Sequence, residues 1–344
     1  MSATTGGLAS LLDTHAAPLV AEGWAPGVVA VAINRSDQVL ACYGHAAVDV
    51  QRPMEGQTRF EIGSLTKTFT GLLLAQMAQA GEVGYDDPII AYLPAHAVSG
   101  KLAAGQITLV KLATHTGGLP RLPPNLDWQT SPSDPYASYC LADLYHATAC
   151  LEPGNSSEAT VSYSTFGIGL LGQLLANAAN HPYPRLLADR ICRPLGLTAT
   201  TAQRLSDETS RCATGYDRGR PVSPWHFDAL VAAGGLRSTG ADLLAYLQAH
   251  LHPQSTRLAG ALLATQKPRR PTGKNMMCLV WNHRVIQERT LLWHTGGTGG
   301  FTTFVGFCPE TSVGIAVLAN TKHTTDQTVL RVGRRLFKHL VFPP

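Results

Sequence analysis

Three short segments of the chain carry side chains that can do chemistry together. In EIGSLTKTFTG, residues 61–71, Ser64 and Lys67 stand three positions apart in a run that is otherwise almost wholly apolar. On a helix, an i, i+3 spacing brings two side chains to one face. A serine at a helix N-terminus meets unpaired N–H groups and the positive end of the dipole, where negative charge is favoured. Burial disfavours the charged form of a neighbouring lysine, so a neutral amine can take the serine proton. The same residues also read as an N-capping serine followed by a lysine that snorkels to water. In VSYSTFGIGLLG, residues 161–172, Tyr163 stands just before a helix of small residues. In WHTGGTGGF, residues 293–301, His294, Thr295 and Gly296 end a strand and run into a glycine-rich turn.

The elements that must position these groups follow from periodicity. Leu65, Phe69, Leu72, Leu73, Leu74, Met77 and Ala78 make the helix from residue 64 to 80 apolar nearly all round, which predicts a central, buried helix. Gly81 is placed to end it as the C′ residue. The two ends of the chain read as sheet. GVVAVAI (27–33), the turn NRSD and the run QVLACYG predict a hairpin. RTLLWHT, FTTFVGF and SVGIAVLAN predict three strands broken by GGTGG and CPET. Near the C-terminus Val329, Val332, Leu336, Phe337 and Leu340 keep helical spacing, as in a surface helix packed on that sheet. Further helical runs cover 166–180 and 241–251, and a proline-rich loop covers 119–135. The expected fold class is α/β: a mixed, mainly antiparallel sheet flanked by helices, with an inserted, mostly helical region. Residues 1–62 and 236–344 are expected to form the sheet domain, and 63–235 the helical region, with the Ser64 helix at their junction.

Composition excludes several classes. The net charge is only +4 over 344 residues, and the densest basic cluster, Lys267-Pro268-Arg269-Arg270, is short and holds a proline, which reads as a solvated loop rather than a nucleic-acid surface. No apolar run approaches the ~18 residues of a membrane span. The seven cysteines are odd in number and never spaced C-x-x-C, which fits reduced thiols. With no basic and apolar leader in MSATTGGLAS, a cytoplasmic location is expected, an exported mature form with its leader removed being the alternative.

Ser-x-x-Lys, then Tyr163, then a basic residue followed by Thr-Gly resemble, in that order, the motifs of the penicillin-recognising serine hydrolases, on the branch of class C β-lactamases, D-alanyl-D-alanine carboxypeptidases and related esterases. ITLVKLATHTGGLP (107–120), RPLGLTATT (193–201) and AAGGLRSTGADLLAYL (232–247) are also similar to segments of that family, so the resemblance spans most of the chain. It implies a β-lactamase/transpeptidase-like fold, Ser64 as the nucleophile of an acyl-enzyme, and Lys67 and Tyr163 sharing the proton traffic, with a phenolate-like Tyr163 favoured by the lysine. The oxyanion hole would be the backbone N–H groups of Ser64 and Gly297, each such donor contributing about 3 to 4 kcal/mol. The acyl chain of a small-molecule or peptide-like substrate would pair along the edge strand after His294, near Thr295 and Gly296. No metal or cofactor is implied.

Two positions depart from the common family pattern. Thr165 stands where the Tyr-x-Asn motif has asparagine, and a hydroxyl is a shorter and poorer amide reader. His294 stands where class C β-lactamases have lysine; it suits a substrate carboxylate only when protonated, and its charge is expected to depend on pH. Both argue for a peptidase or esterase over strong β-lactam turnover. GGTGGF precedes a strand rather than a helix, so it does not read as a phosphate loop. G-x-S-x-G and H-E-x-x-H are absent. His115 reads as a structural histidine near a turn. The expectation is an acyl-serine hydrolase acting on amide or ester bonds of small substrates. The alternatives are an acyltransferase using the same acyl-enzyme, and a non-catalytic binding or scaffold protein.

Overall fold

The computed structural model of the chain describes residues 5–99, 107–129, 131–151, 160–203, 211–322 and 327–343. The expected hairpin forms from β1 (Gly27–Asn34) and β2 (Asp37–Ala47), with Asn34 opposite Asp37. A short strand, β3 (Arg52–Pro53), pairs with β2. Two two-stranded sheets lie outside the main sheet among the described residues: β4 (Arg59–Glu61), β5 (Gly215–Asp217), β6 (Arg220–Val222) and β7 (Arg237–Thr239) pair as β4–β7 and β5–β6. The C-terminal part supplies β8 (Arg270–Thr272), β9 (Asn275–Met277), β10 (Asn282–Ile286), β11 (Arg289–Gly297), β12 (Thr302–Cys308) and β13 (Val313–Ala319). The main sheet has the order β3-β2-β1-β13-β12-β11-β10-β9-β8, and every ladder in it is antiparallel. The first and last parts of the chain therefore share one sheet, joined where β1 pairs with β13. The described seven cysteines are all free thiols.

Period-two burial sorts the sheet's residues between two cores. Val28, Ala30 and Ala32 of β1 enter an apolar layer beneath helices α1 (Thr5–His15) and α6 (Thr328–Val341), with Leu8, Leu12, Phe304, Leu336 and Phe337. Val29, Val31 and Ile33 point to the opposite face and join the larger core with the remaining helices. Each fully buried side chain of this size contributes about 1.5–3 kcal/mol. The C-terminal surface helix expected from Val329, Leu336, Phe337 and Leu340 is α6.

The larger core is built around α2 (Thr66–Gln79), buried over nearly its whole length. Gly81, at φ +72°, follows its last turn as the left-handed C′ residue. An opening of Thr-Lys-Thr-Phe-Thr would be costly to bury, but its hydroxyls are paired. Thr66 Oγ1 accepts the Leu236 N–H, Thr68 Oγ1 donates to the Leu65 carbonyl, and Thr70 Oγ1 donates to the Ala232 carbonyl. The helical runs expected at 166–180 and 241–251 are α3 (Thr165–Ala179) and α4 (Gly240–Leu251), capped by Ser164 and Thr239, and α5 (Ala259–Gln266) follows α4. Among the described residues, no helix is long and apolar enough to cross a membrane.

Candidate active site

Ser64 lies in a 3-10 turn, Gly63–Leu65, that runs directly into α2. This turn is pressed against the end of β11. A β-carbon on Gly63, which has φ +49°, would sit 2.6 Å from the Gly297 nitrogen, and one on Gly296 would sit 1.9 Å from the Ile62 carbonyl oxygen. Only glycine permits this approach, so the two glycines fix the distance between nucleophile and strand. From the other side the segment after 231 holds the turn, since Ile62 N–H donates to the Leu236 carbonyl.

Lys67 is 0% exposed. Its Nζ is 3.0 Å from Ser64 Oγ and 2.5 Å from the Ala233 carbonyl oxygen. Burial, assisted by the positive charge of Arg121, pushes its pKa down to about 7. Nζ donates to the Ala233 carbonyl and to Ser64 Oγ, and in its neutral form the amine is within reach of the hydroxyl proton. Lys67 does not snorkel.

Tyr163 adjoins Ser64, and its ring centre lies 5.1 Å from the Lys67 nitrogen. The sequence expectation of a phenolate-like Tyr163 is overturned. Burial pushes its pKa up to about 12, outweighing the pull of Ser64 and Arg121 in the other direction, so the resting group is a neutral phenol. A lysine that is itself neutral near pH 7 offers the phenolate little support.

The pH-dependent charge expected of His294 is also corrected. The ring is 3% exposed, and burial together with Lys67 pushes its pKa down to about 3, so it stays neutral through the physiological range. Its Nδ1 is 2.8 Å from the Thr295 carbonyl oxygen, which makes that nitrogen the protonated one. Thr165 is buried at the first helical position of α3, with its N–H bonded to the Arg121 carbonyl.

β11 is not an edge strand along its whole length. It is paired with β10 from Arg289 to Trp293 and with β12 from Leu292 to Gly297. The stretch His294–Gly297 therefore has a ladder on one side only. Thr298 N–H donates to the Phe301 carbonyl at 3.0 Å, and Gly297 stands opposite Thr302. Alternation in an antiparallel ladder then turns the Gly297 N–H away from β12, toward the open side. Gly297 is exposed, Ser64 and Thr295 are partly exposed, and Gly296 is buried. The turn between β11 and β12 leads into a strand, as the rejection of a phosphate loop requires.

Three groups of this region, Arg121, Glu61 and Asp134, were not singled out by the sequence. Arg121 holds its guanidinium carbon 5.4 Å from the centre of the Tyr163 ring. Glu61, buried, accepts the Trp225 N–H at 2.9 Å and lies 3.9 Å from Arg237. Burial pushes its pKa up to about 7. Asp134 accepts the next N–H along, from His226, and meets that ring at 2.6 Å. Two carboxylates thus latch consecutive backbone groups of one strap. His115, read as structural, is so: it adopts φ +57°, and its Nδ1 accepts the Ser164 N–H at 3.2 Å. It also belongs to the site, because its ring centre lies 4.6 Å from that of Tyr163.

The arrangement pairs a hydroxyl with a buried amine of near-neutral pKa, beside an outward N–H on an open strand edge. Such a set can form and resolve an ester on the hydroxyl. Comparison with known proteins points the same way. Residues 12–337 match the family model described as Beta-lactamase. The chain is 28% identical to a β-lactamase of Pseudomonas fluorescens, covering 93% of this chain and 95% of that protein. It is 30% identical to a β-lactamase of Escherichia coli (strain K12), covering 91% and 88% respectively. To the D-alanyl-D-alanine-carboxypeptidase/endopeptidase AmpH of the same strain it is 28% identical, covering 90% and 83%.

Proposed function

The chain belongs to the Beta-lactamase family and is a serine hydrolase, and on that premise we propose that Ser64 is the nucleophile for cleavage of amide or ester bonds in small substrates. The observation that carries this assignment is the fully buried Lys67 amine, 3.0 Å from Ser64 Oγ. The amine takes the hydroxyl proton as Oγ bonds to the substrate carbonyl carbon. The oxyanion so formed lies between the N–H groups of Ser64 and Gly297. Collapse of the tetrahedral intermediate breaks the bond to the leaving group, which receives the proton from Lys67 by way of the Tyr163 hydroxyl. Tyr163 is thus a relay that passes a proton while remaining neutral overall. Water resolves the acyl-enzyme by the reverse traffic, restoring Ser64.

Within this chemistry we favour peptide-like amides and simple esters over efficient turnover of β-lactams. The support is the neutral, buried His294 and the buried Thr165, which leave the site without the lysine and the asparagine of the commoner pattern. Intact-protein mass spectrometry tests the assignment. The protein is incubated for seconds with a penicillin, a D-Ala-D-Ala-type thioester and a p-nitrophenyl ester. An adduct of acyl mass on the wild-type protein, absent from Ser64→Ala, is the expected result; labelling that persists in Ser64→Ala contradicts it.

A further inference from the structure

His294 and Thr165 leave open which residue reads the acyl group. His294 is neutral and its Nδ1 is engaged with the Thr295 carbonyl. Thr165 is 8% exposed and carries a single short hydroxyl. Among the described residues, a cation that lies against the Tyr163 ring is Arg121. It is exposed, and its guanidinium lies over the Tyr163 ring, 5.4 Å from the centroid. Among the described residues no carboxylate pairs with it. Its backbone is fixed in place, because its carbonyl oxygen accepts the N–H groups of Thr165 at 2.8 Å and Phe166 at 3.3 Å. Those two bonds tie it to the first turn of α3, which Ser164 also caps. A planar, permanently charged fork of five N–H donors therefore stands beside the Thr165 position and against the Tyr163 ring. Nearby, the Tyr136 ring is stacked on Phe227 at 4.5 Å and meets Trp225 edge-on at 5.4 Å, and Trp225 in turn lies against Gly299. These rings form an apolar wall beside the guanidinium, which is the exposed cation lying against Tyr163 among the described residues.

We propose that Arg121 selects the acyl group, and that the preferred substrates carry a carboxylate on the acyl chain a few bonds from the scissile carbonyl. This rests on the Ser64 reading. The carboxylate accepts two parallel N–H bonds from the fork while the carbonyl carbon faces Ser64. Being solvent-exposed, the pair is sensitive to salt.

The test compares two p-nitrophenyl esters of equal acyl length, the monoester of glutaric acid and the neutral valerate, on the wild type, Arg121→Gln and Arg121→Lys. The wild type is expected to favour the anionic ester in kcat/KM by roughly tenfold to a hundredfold, the range of a charge-assisted hydrogen bond. Arg121→Gln should remove that preference chiefly through the KM of the glutarate ester, and Arg121→Lys should retain only part of it. Reading the ratio between esters cancels any effect of the substitution on Lys67 or on folding, which both esters share. No preference in the wild type, or a preference untouched by Arg121→Gln, overturns the assignment. Turnover of neither ester overturns the Ser64 reading, and the Arg121 assignment falls with it.

Discussion

Beneath the sheet, His250 of α4 lies fully buried among Tyr246, Trp281 and Phe307, whose ring centres are 4.7, 5.2 and 4.9 Å away. At the start of α2, Lys67 is buried as completely. Burial alone pushes the His250 pKa to about 3, and burial is also the largest cause of the fall of Lys67 to about 7. The difference lies in what each nitrogen meets. Among the described residues, neither ring nitrogen of His250 has a hydrogen-bond partner. The Lys67 nitrogen meets Ser64 Oγ and the Ala233 carbonyl, and Ser64 itself is partly exposed. A displaced pKa therefore reports desolvation, and a site requires in addition convergent polar atoms with a route to solvent.

That distinction can be broken by substitution. The largest effect is expected for Ser64→Ala, a loss in kcat/KM on the order of 10⁵-fold. Its melting temperature should be essentially unchanged, since a partly exposed hydroxyl is all that is lost; a large fall in thermal stability would make Ser64 structural. Lys67→Met should lower kcat by roughly 10²- to 10⁴-fold, the range of general-base removal. Its stability should be equal or higher, because a desolvated amine is replaced by an apolar chain of similar length. Activity in Lys67→Met near that of the wild type would end the parallel with a catalytic base.

Acid sharpens the comparison further. Burial lowers His115, His250 and His294 from 6.5 to about 3. Between those values the unfolded chain binds protons that the folded chain excludes, so stability falls as pH drops from about 6.5 toward 3. Each histidine contributes up to about 1.4 kcal/mol per pH unit. Glu61 opposes this: raised from 4.5 to about 7, it stabilises at low pH, and that stability is lost as pH rises through this window. Three histidines outweigh one carboxyl, and urea unfolding should show lower stability at pH 5 than at pH 7. The smallest effect is expected of His250→Leu. Its kcat/KM should stay within about twofold, its stability at pH 7 should be equal or higher because two unsatisfied nitrogens are removed, and its loss on acidification should be shallower. A His250→Leu protein that loses activity would place His250 in the machinery.

The legible parts of the molecule are those written in local spacing. Ser64 and Lys67 share a helical face, Gly81 ends α2, and the runs of β1, β2 and β11–β13 show as apolar segments between turn residues. β8–β10 were not legible, since Arg270-Pro271-Thr272 and Asn275-Met276-Met277 carry no alternation and become strands by pairing outward from β11. Arg121 gives no local sign either, because its role depends on the distant Tyr163 ring. The same holds for the latch on the strap, whose bonds join Asp134 to His226 and Glu61 to Trp225 across 92 and 164 positions. The charge states of Tyr163 and His294 were misread because burial decides both, and burial is a property of the assembled fold.

The measurement that bears most directly on the Lys67–Ser64 pair is the single-turnover rate of acylation of the wild-type protein between pH 5.5 and 10. A base whose pKa is about 7 predicts a rate that rises with pH, bends near 7 and stays level above it. A rate that keeps rising to pH 10 would contradict this, and would assign the proton to a group of much higher pKa, such as the Tyr163 phenol at about 12.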